Sequence, residues 1–182
     1  GTRVAYFIQC LTDRLYPAMA ESTVRIMQAC GAEVVVPTAQ HCCGLPAFDS
    51  GDWDRAKTMA RATITTLEET QADWVVTAGA SCAVAINHDY QHLFKDEPAW
   101  LARAEALAAR TLDLTSFLTK VARLEDGALA LPDAPAGAVT YHNFCQSHNV
   151  LGLRAEPLRL IQEVMGLELA ELPEANVCCG FG

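Results

Sequence analysis

Cys42-Cys43-Gly44 recurs as Cys178-Cys179-Gly180, and each copy follows a lone cysteine at nearly the same distance. Cys10 lies 32 positions before Cys42, and Cys145 lies 33 before Cys178. Cys82 continues the plan after the first copy, so seven of the eight cysteines fit it. Thiolates are the ligands that soft metals and iron–sulfur clusters require. Zinc hairpins space two cysteines so that both sulfurs converge on one ion. Adjacent side chains diverge, so Cys42 and Cys43 reach more readily toward two different metal atoms, which favours a polynuclear core. A Cys₄ zinc site is the alternative. Gly44 would let the backbone pass close to such a core and offer its amide to a sulfur. Cys30 falls on an apolar helix face and reads as packing.

Other polar residues carry weaker signals. His41, His142 and His148 lie near the cysteines and read as hydrogen-bonded imidazoles beside a site, with ligation as the less favoured alternative. His88 and His92 are four apart but lack the HExxH pattern, so an exposed helix surface is the simpler reading. Asp49 and Ser50 follow the first pair as candidate helix caps. No Ser-His-Asp order, phosphate loop or GxGxxG occurs.

Composition sets outer bounds. The 182 residues are 51% hydrophobic, enough for a real core. The net charge is −9 and Lys/Arg are not clustered, so neither nucleic acid nor an anionic membrane is an expected partner. No apolar run reaches the length of a membrane span and no signal peptide precedes the first strand. A cytoplasmic protein is expected, where clustered thiols favour metal or redox chemistry over disulfides.

The elements that must position the cysteines follow from periodicity. Arg3 to Ile8 reads as a buried strand ending before Cys10. A helix follows with Leu15, Met19, Ile26, Met27 and Cys30 on one face and Gly31 as its stop. Val34 to Val36 is a second strand, and His41 to Ser50 a loop. Asp52 caps a helix with Ala56, Met59, Ala60, Thr63, Ile64 and Leu67 inward. Trp74 to Ala78 is a third strand, and the chain is helical after Ser81. Helices opening at Pro98 and carrying Leu114, Phe117, Leu118 and Val121 complete the first half. Residues 125–137 read as a linker. The pattern then restarts, with strands at Val139 to His142 and Leu167 to Leu172 around a helix bearing Leu158, Ile161, Val164 and Met165.

The expected fold is therefore α/β: duplicated Rossmann-like three-layer units with parallel sheets, a first repeat over 3–124 and a second over 138–182, incomplete in this chain. Cys10, the Cys42–Cys43 pair and Cys82 all follow strand C-termini, the edge where open α/β sheets bind ligands. Cys82 also opens a helix, whose amides stabilise a thiolate.

These residues resemble the cysteine-rich CCG-domain family, which includes the heterodisulfide reductase B subunit, the glycolate oxidase iron–sulfur subunit and the lactate utilisation protein A group. The last is matched most fully, through Cys10-Leu11, Tyr16-Pro17, Cys42 to Gly44 with Pro46 to Phe48, Gly79 to Cys82, Tyr141-His142, Cys145, Leu151-Gly152 and Cys178 to Gly182. The resemblance implies a bacterial cytoplasmic protein that acts with two companion proteins in the oxidation of L-lactate to pyruvate and handles electrons through iron–sulfur clusters. By position, Cys10, Cys42, Cys43 and Cys82 would hold one cluster, and Cys145, Cys178 and Cys179 would contribute to a second. The family's fuller pattern ends each repeat in CxxC. Here Gly79 takes the earlier place and leaves four sulfurs, a set suited to a four-iron or two-iron cluster. Two other functions stay open: a subunit that itself acts on a disulfide or a 2-hydroxy acid such as glycolate, and a zinc-stabilised structural subunit.

Overall fold

A computed structural model describes residues 1–130 and 137–180. Residues 131–136 of the expected linker, and Phe181 and Gly182, lie outside the described residues. The chain divides into two compact units, Gly1–Leu114 and Thr115–Gly182.

The first unit is an α/β fold around a four-stranded, all-parallel sheet. Its strands are β1 (Arg3–Tyr6), β2 (Glu33–Val35), β3 (Trp74–Thr77) and β4 (Thr111–Asp113), in the spatial order β2-β1-β3-β4. Val4 pairs with Val34 on one side and with Trp74 on the other, so β1 and β3 form the centre. Side chains alternate across a strand. Ala5, Phe7 and Val75 accordingly face a core built from Ala56, Ala60, Ile64, Leu67, Ile86 and Phe94. Tyr6 points to the opposite face, where it meets Thr23. Burial on both faces explains the continuous apolar runs of these strands.

Seven helices surround the sheet: α1 (Cys10–Leu15), α2 (Pro17–Ala29), α3 (Leu45–Asp49), α4 (Trp53–Glu69), α5 (Ala80–Val84), α6 (Tyr90–Leu93) and α7 (Pro98–Ala108). Asp52 caps α4 as expected, its carboxylate accepting from the Arg55 amide at 3.2 Å. α5 runs through a π-helical turn, Ala85–Asp89, into α6.

Two expectations for the first unit need correction. The single helix expected after Cys10 is two, because the residue before a proline is driven out of the helical region. Tyr16, before Pro17, has φ −135° and ψ 52°. The break leaves Leu15 and Met19 exposed, while Ala20, Thr23 and Met27 form the buried face. The expected His41–Ser50 loop contains α3, started by Gly44 at φ +92° with Pro46 in its first turn. Strand β4 was not expected at all; its three residues are too few to register as a pattern.

The second unit opens with a helical stretch, Thr115–Val121, and has another at Ala155–Val164, where Leu160–Val164 is π-helical. Gly166, at φ +70°, ends it as expected. Residues 125–130 hydrogen-bond onto this helix, the Gly127 amide to Glu163 at 2.8 Å and the Leu129 amide to Val164 at 3.1 Å. In place of two expected strands there is one parallel bridge, Val139 to Leu169. A two-stranded pair is marginal without a third strand beside it, and Thr140, Glu168 and Ala170 are exposed.

Candidate thiol centre

Four cysteines from three remote segments meet at the C-terminal edge of the first sheet. Cys10 is the first residue of α1, immediately beyond β1. Cys82 is the third residue of α5, immediately beyond β3. The strand order reverses between β1 and β3, so these two thiols flank the switch-point crevice of an open α/β sheet. Cys42 and Cys43 arrive in the turn between β2 and α3.

The sulfurs contact one another in a chain. Cys10 meets Cys42, Cys42 meets Cys43, and Cys43 meets Cys82. The adjacent pair thus splits, each member facing a different remote partner. Among the described residues no three His, Cys, Asp or Glu side chains are arranged to grip a single ion. Burial rises along the chain of sulfurs: Cys10 is exposed and Cys42 partly so, whereas Cys43 and Cys82 are each 4% accessible. A cavity of about 400 Å³ opens at the exposed end, with Cys10, Arg14, Gln40, His41 and Cys42 in its wall.

Proximity and burial hold Cys10, Cys42 and Cys43 in the thiol form when no cation is bound. Cys10 is raised by burial and then by the charge of Cys42. Contact with Cys43 and then burial push Cys42 well up. For Cys43, contact with Cys42 acts downward, but contact with Cys82 and burial outweigh it and push the thiol up to about 12. Gathered thiolates therefore repel in a half-dry site, and a soft cationic core would relieve that cost. Backbone amides supply partial compensation: Leu11 to Cys10, Gly44 to Cys42 and Leu45 to Cys43. Sulfur-rich donors with amides aimed at them fit an iron–sulfur group.

Supporting residues surround the turn, and among them Tyr90 and Gln40 carry no signal in the sequence. Tyr90, 2% accessible, donates to the Cys43 carbonyl at 2.6 Å. Gln40 accepts from the Ile8 amide at 2.7 Å and so ties the approach to Cys42 onto the end of β1. Phe48 of α3 stacks on Trp53 at 6.2 Å, and the exposed His92 ring stands perpendicular to Trp53 at 5.6 Å. A tyrosine in an apolar helix reads simply as core, so nothing in the sequence distinguished Tyr90.

The remaining candidates separate clearly. Cys30 caps α2, and its thiol is raised by burial alone. His41 is exposed and donates to the Cys42 carbonyl at 2.8 Å. His88 is exposed. In the second unit Cys145 is partly buried, while Cys178 and Cys179 are exposed. Hydrogen bonds join their segments: the Asn143 amide donates to the Ala175 carbonyl at 2.8 Å, and the His142 ring Nε2 donates to the Val177 carbonyl at 2.9 Å. His148 pairs with Asn149 and Arg154. The Gly180 amide donates to Cys178 at 3.4 Å, repeating the direction of the Gly44 amide toward Cys42.

Residues 4–87 and 139–182 match the CCG family, described as a cysteine-rich domain. A lactate utilization protein A from Geobacillus thermodenitrificans (strain NG80-2) is 41% identical over 180 residues, spanning 99% of this chain and 72% of the relative. One from an Exiguobacterium species (strain ATCC BAA-1283 / AT1b) is 40% identical over 179 residues, spanning 98% and 71%. Lactate utilization protein A 2 from Bacillus cereus (strain 03BB102) is 38% identical over 180 residues, spanning 99% and 72%. Matched thiol plan, matched domain and near-complete coverage together place this chain in the cysteine-rich CCG-domain family, within its lactate utilisation protein A group.

Proposed function

We propose that this protein is an iron–sulfur electron-transfer component of an L-lactate-oxidising system and works with companion subunits in the cytoplasm. The observation that carries the reading is the chain of four thiols at the sheet's switch point. Support for the lactate system comes from relatives named for lactate utilisation. No helix among the described residues is long and apolar enough to cross a membrane. Cys10, Cys42, Cys43 and Cys82 would hold one cluster; Cys145, Cys178 and Cys179 would contribute to a second. When bound, such a cluster, most simply 4Fe-4S, supplies reversible one-electron storage.

The chain's own residues shape that role. Cys43 and Cys82 anchor the buried side, where low water access favours tuning by the protein. Cys10 and Cys42 form the exposed side, and the cavity beside them is the point of closest approach for an electron donor or acceptor. The test is anaerobic purification of the full chain with its companions. Iron and acid-labile sulfide in excess of zinc, and lactate turnover only with companions present, are expected. A colourless protein with stoichiometric zinc would refute the reading, and turnover by the chain alone would replace it with a catalytic one.

A further inference from the structure

The Cys43–Gly44 peptide is held at both ends. Its carbonyl accepts from the Tyr90 hydroxyl at 2.6 Å, and its N–H belongs to Gly44, whose amide faces the Cys42 sulfur. Tyr90 is fully enclosed and sits on the first residue of α6, immediately after the π-helical turn Ala85–Asp89. A π-turn inserts an extra residue into the helical register, a feature often retained at functional positions. The same helical run carries Cys82 one turn after β3. One continuous element therefore delivers a thiol to the crevice and a hydroxyl to the back of the turn that delivers two more. The second CCG turn shares the glycine amide contact to its first cysteine, and there His142 donates to the Val177 carbonyl, two peptides before the counterpart of Cys43–Gly44.

We propose that Tyr90 is a positioning residue for the first thiol centre: its hydroxyl fixes the Cys43–Gly44 peptide plane and, through that one amide, strengthens donation from Gly44 to the Cys42 sulfur. Hydrogen bonds in series polarise one another, and donors to cluster sulfurs raise reduction potentials by stabilising the more negative state. The cluster part of this inference rests on the proposed iron–sulfur reading; the peptide clamp does not.

Three measurements on the full chain separate the two. Hydrogen exchange is compared between wild type and Tyr90→Phe. Exchange at Cys43 to Leu45 should accelerate about fivefold, from the loss of one hydrogen bond, while α4 and Cys178 to Gly180 stay unchanged. No acceleration at Cys43 to Leu45, or equal acceleration through α4, overturns the clamp. The reduction potential should move negative in Tyr90→Phe, by about a twofold change in the reduction equilibrium constant, and positive when 3-fluorotyrosine, a stronger donor, replaces Tyr90 alone. Opposite signs cannot arise from lost packing; shifts of the same sign, or none, overturn the relay. Wild-type iron and sulfide analysis stands apart: its failure removes the cluster reading, and hydrogen exchange then decides the clamp alone.

Discussion

The two CCG turns are alike locally and unlike in everything around them. Both place a glycine in the left-handed region, at φ +92° for Gly44 and +76° for Gly180, and both aim that glycine's amide at the first cysteine of the pair. Around the first turn stand α3, α4 and the helix from Ala80 to Leu93, and its thiols join Cys10 and Cys82 in a chain that descends into the core. Around the second, Cys178 and Cys179 are exposed and Val177 before them is 58% accessible. Three residues are therefore enough to specify a turn that presents sulfur. Gathering the other sulfurs takes a sheet whose strand order reverses at the right place.

The sharpest way to break this comparison is thiol alkylation of the metal-free protein at pH 8. A thiol titrating near 12 is ionised about a thousandfold less at that pH than one titrating near 9. Burial slows Cys43 further and by itself slows Cys82, because reagent must wait for local opening. Cys178 and Cys179 should be labelled within minutes while Cys43 lags by three orders of magnitude or more, read by peptide mass spectrometry over time. Comparable rates in the two pairs would mean that the first centre is not packed as described.

A second test uses the pH dependence of stability. The Cys43 thiol rises from its ordinary value of 9.0 to about 12 in the fold. The folded state thus keeps a proton that the unfolded chain releases. That contribution is complete below pH 9, shrinks as pH climbs, and is gone above 12; it amounts to at most about 4 kcal/mol. Urea midpoints of the metal-free chain should fall steeply between pH 9 and 11. In Cys43→Ser the slope over that window should flatten. A wild-type curve with no loss over that window would contradict the coupled, buried thiols.

How much of this was legible beforehand depends on the range of the interaction. The Asp52 cap and the strands at β1, β2 and β3 are local signals, and the structure carries them. The crevice was legible too, because alternating strands and helices restrict the topology severely. What escaped were effects of neighbours. Pro17 broke a helix whose apolar period ran straight through it, Pro46 and Gly44 started a helix inside a presumed loop, and a π-turn aimed Tyr90 at a carbonyl 47 positions away. The strands expected at Val139 to His142 and Leu167 to Leu172 reduce to the single bridge between Val139 and Leu169, because pattern alone does not supply the partner strands that would extend the pairing.

A smaller effect sharpens the contrast between the turns themselves. A methyl group added at Gly44 would stand 3.2 Å from the Met59 β-carbon and 3.6 Å from the Ala56 carbonyl, whereas at Gly180 it meets open space. Both alanine variants carry left-handed strain of about 1 kcal/mol; only Gly44→Ala adds crowding against α4, about 1–2 kcal/mol more. Thermal or urea denaturation should therefore rank Gly44→Ala well below Gly180→Ala. Equal losses would mean that α4 does not wall the first turn.

The smallest expected effect tests whether that wall depends on its own cap. Asp52 satisfies the Arg55 amide at the start of α4, just before Trp53 stacks on Phe48 and Ala56 backs Gly44. Asp52→Ala removes one capping acceptor, a loss of about 1 kcal/mol. Asp52→Asn keeps an acceptor oxygen and should recover most of it. Because the cap lies within one turn of the Gly44 contact, the alanine variant should also speed alkylation of Cys43 by about fivefold while leaving Cys178 unaffected. If Cys43 reactivity is unchanged as stability falls, the start of α4 frays independently of the thiol centre, and the protection of the first centre comes from Tyr90 and the helix that carries Cys82.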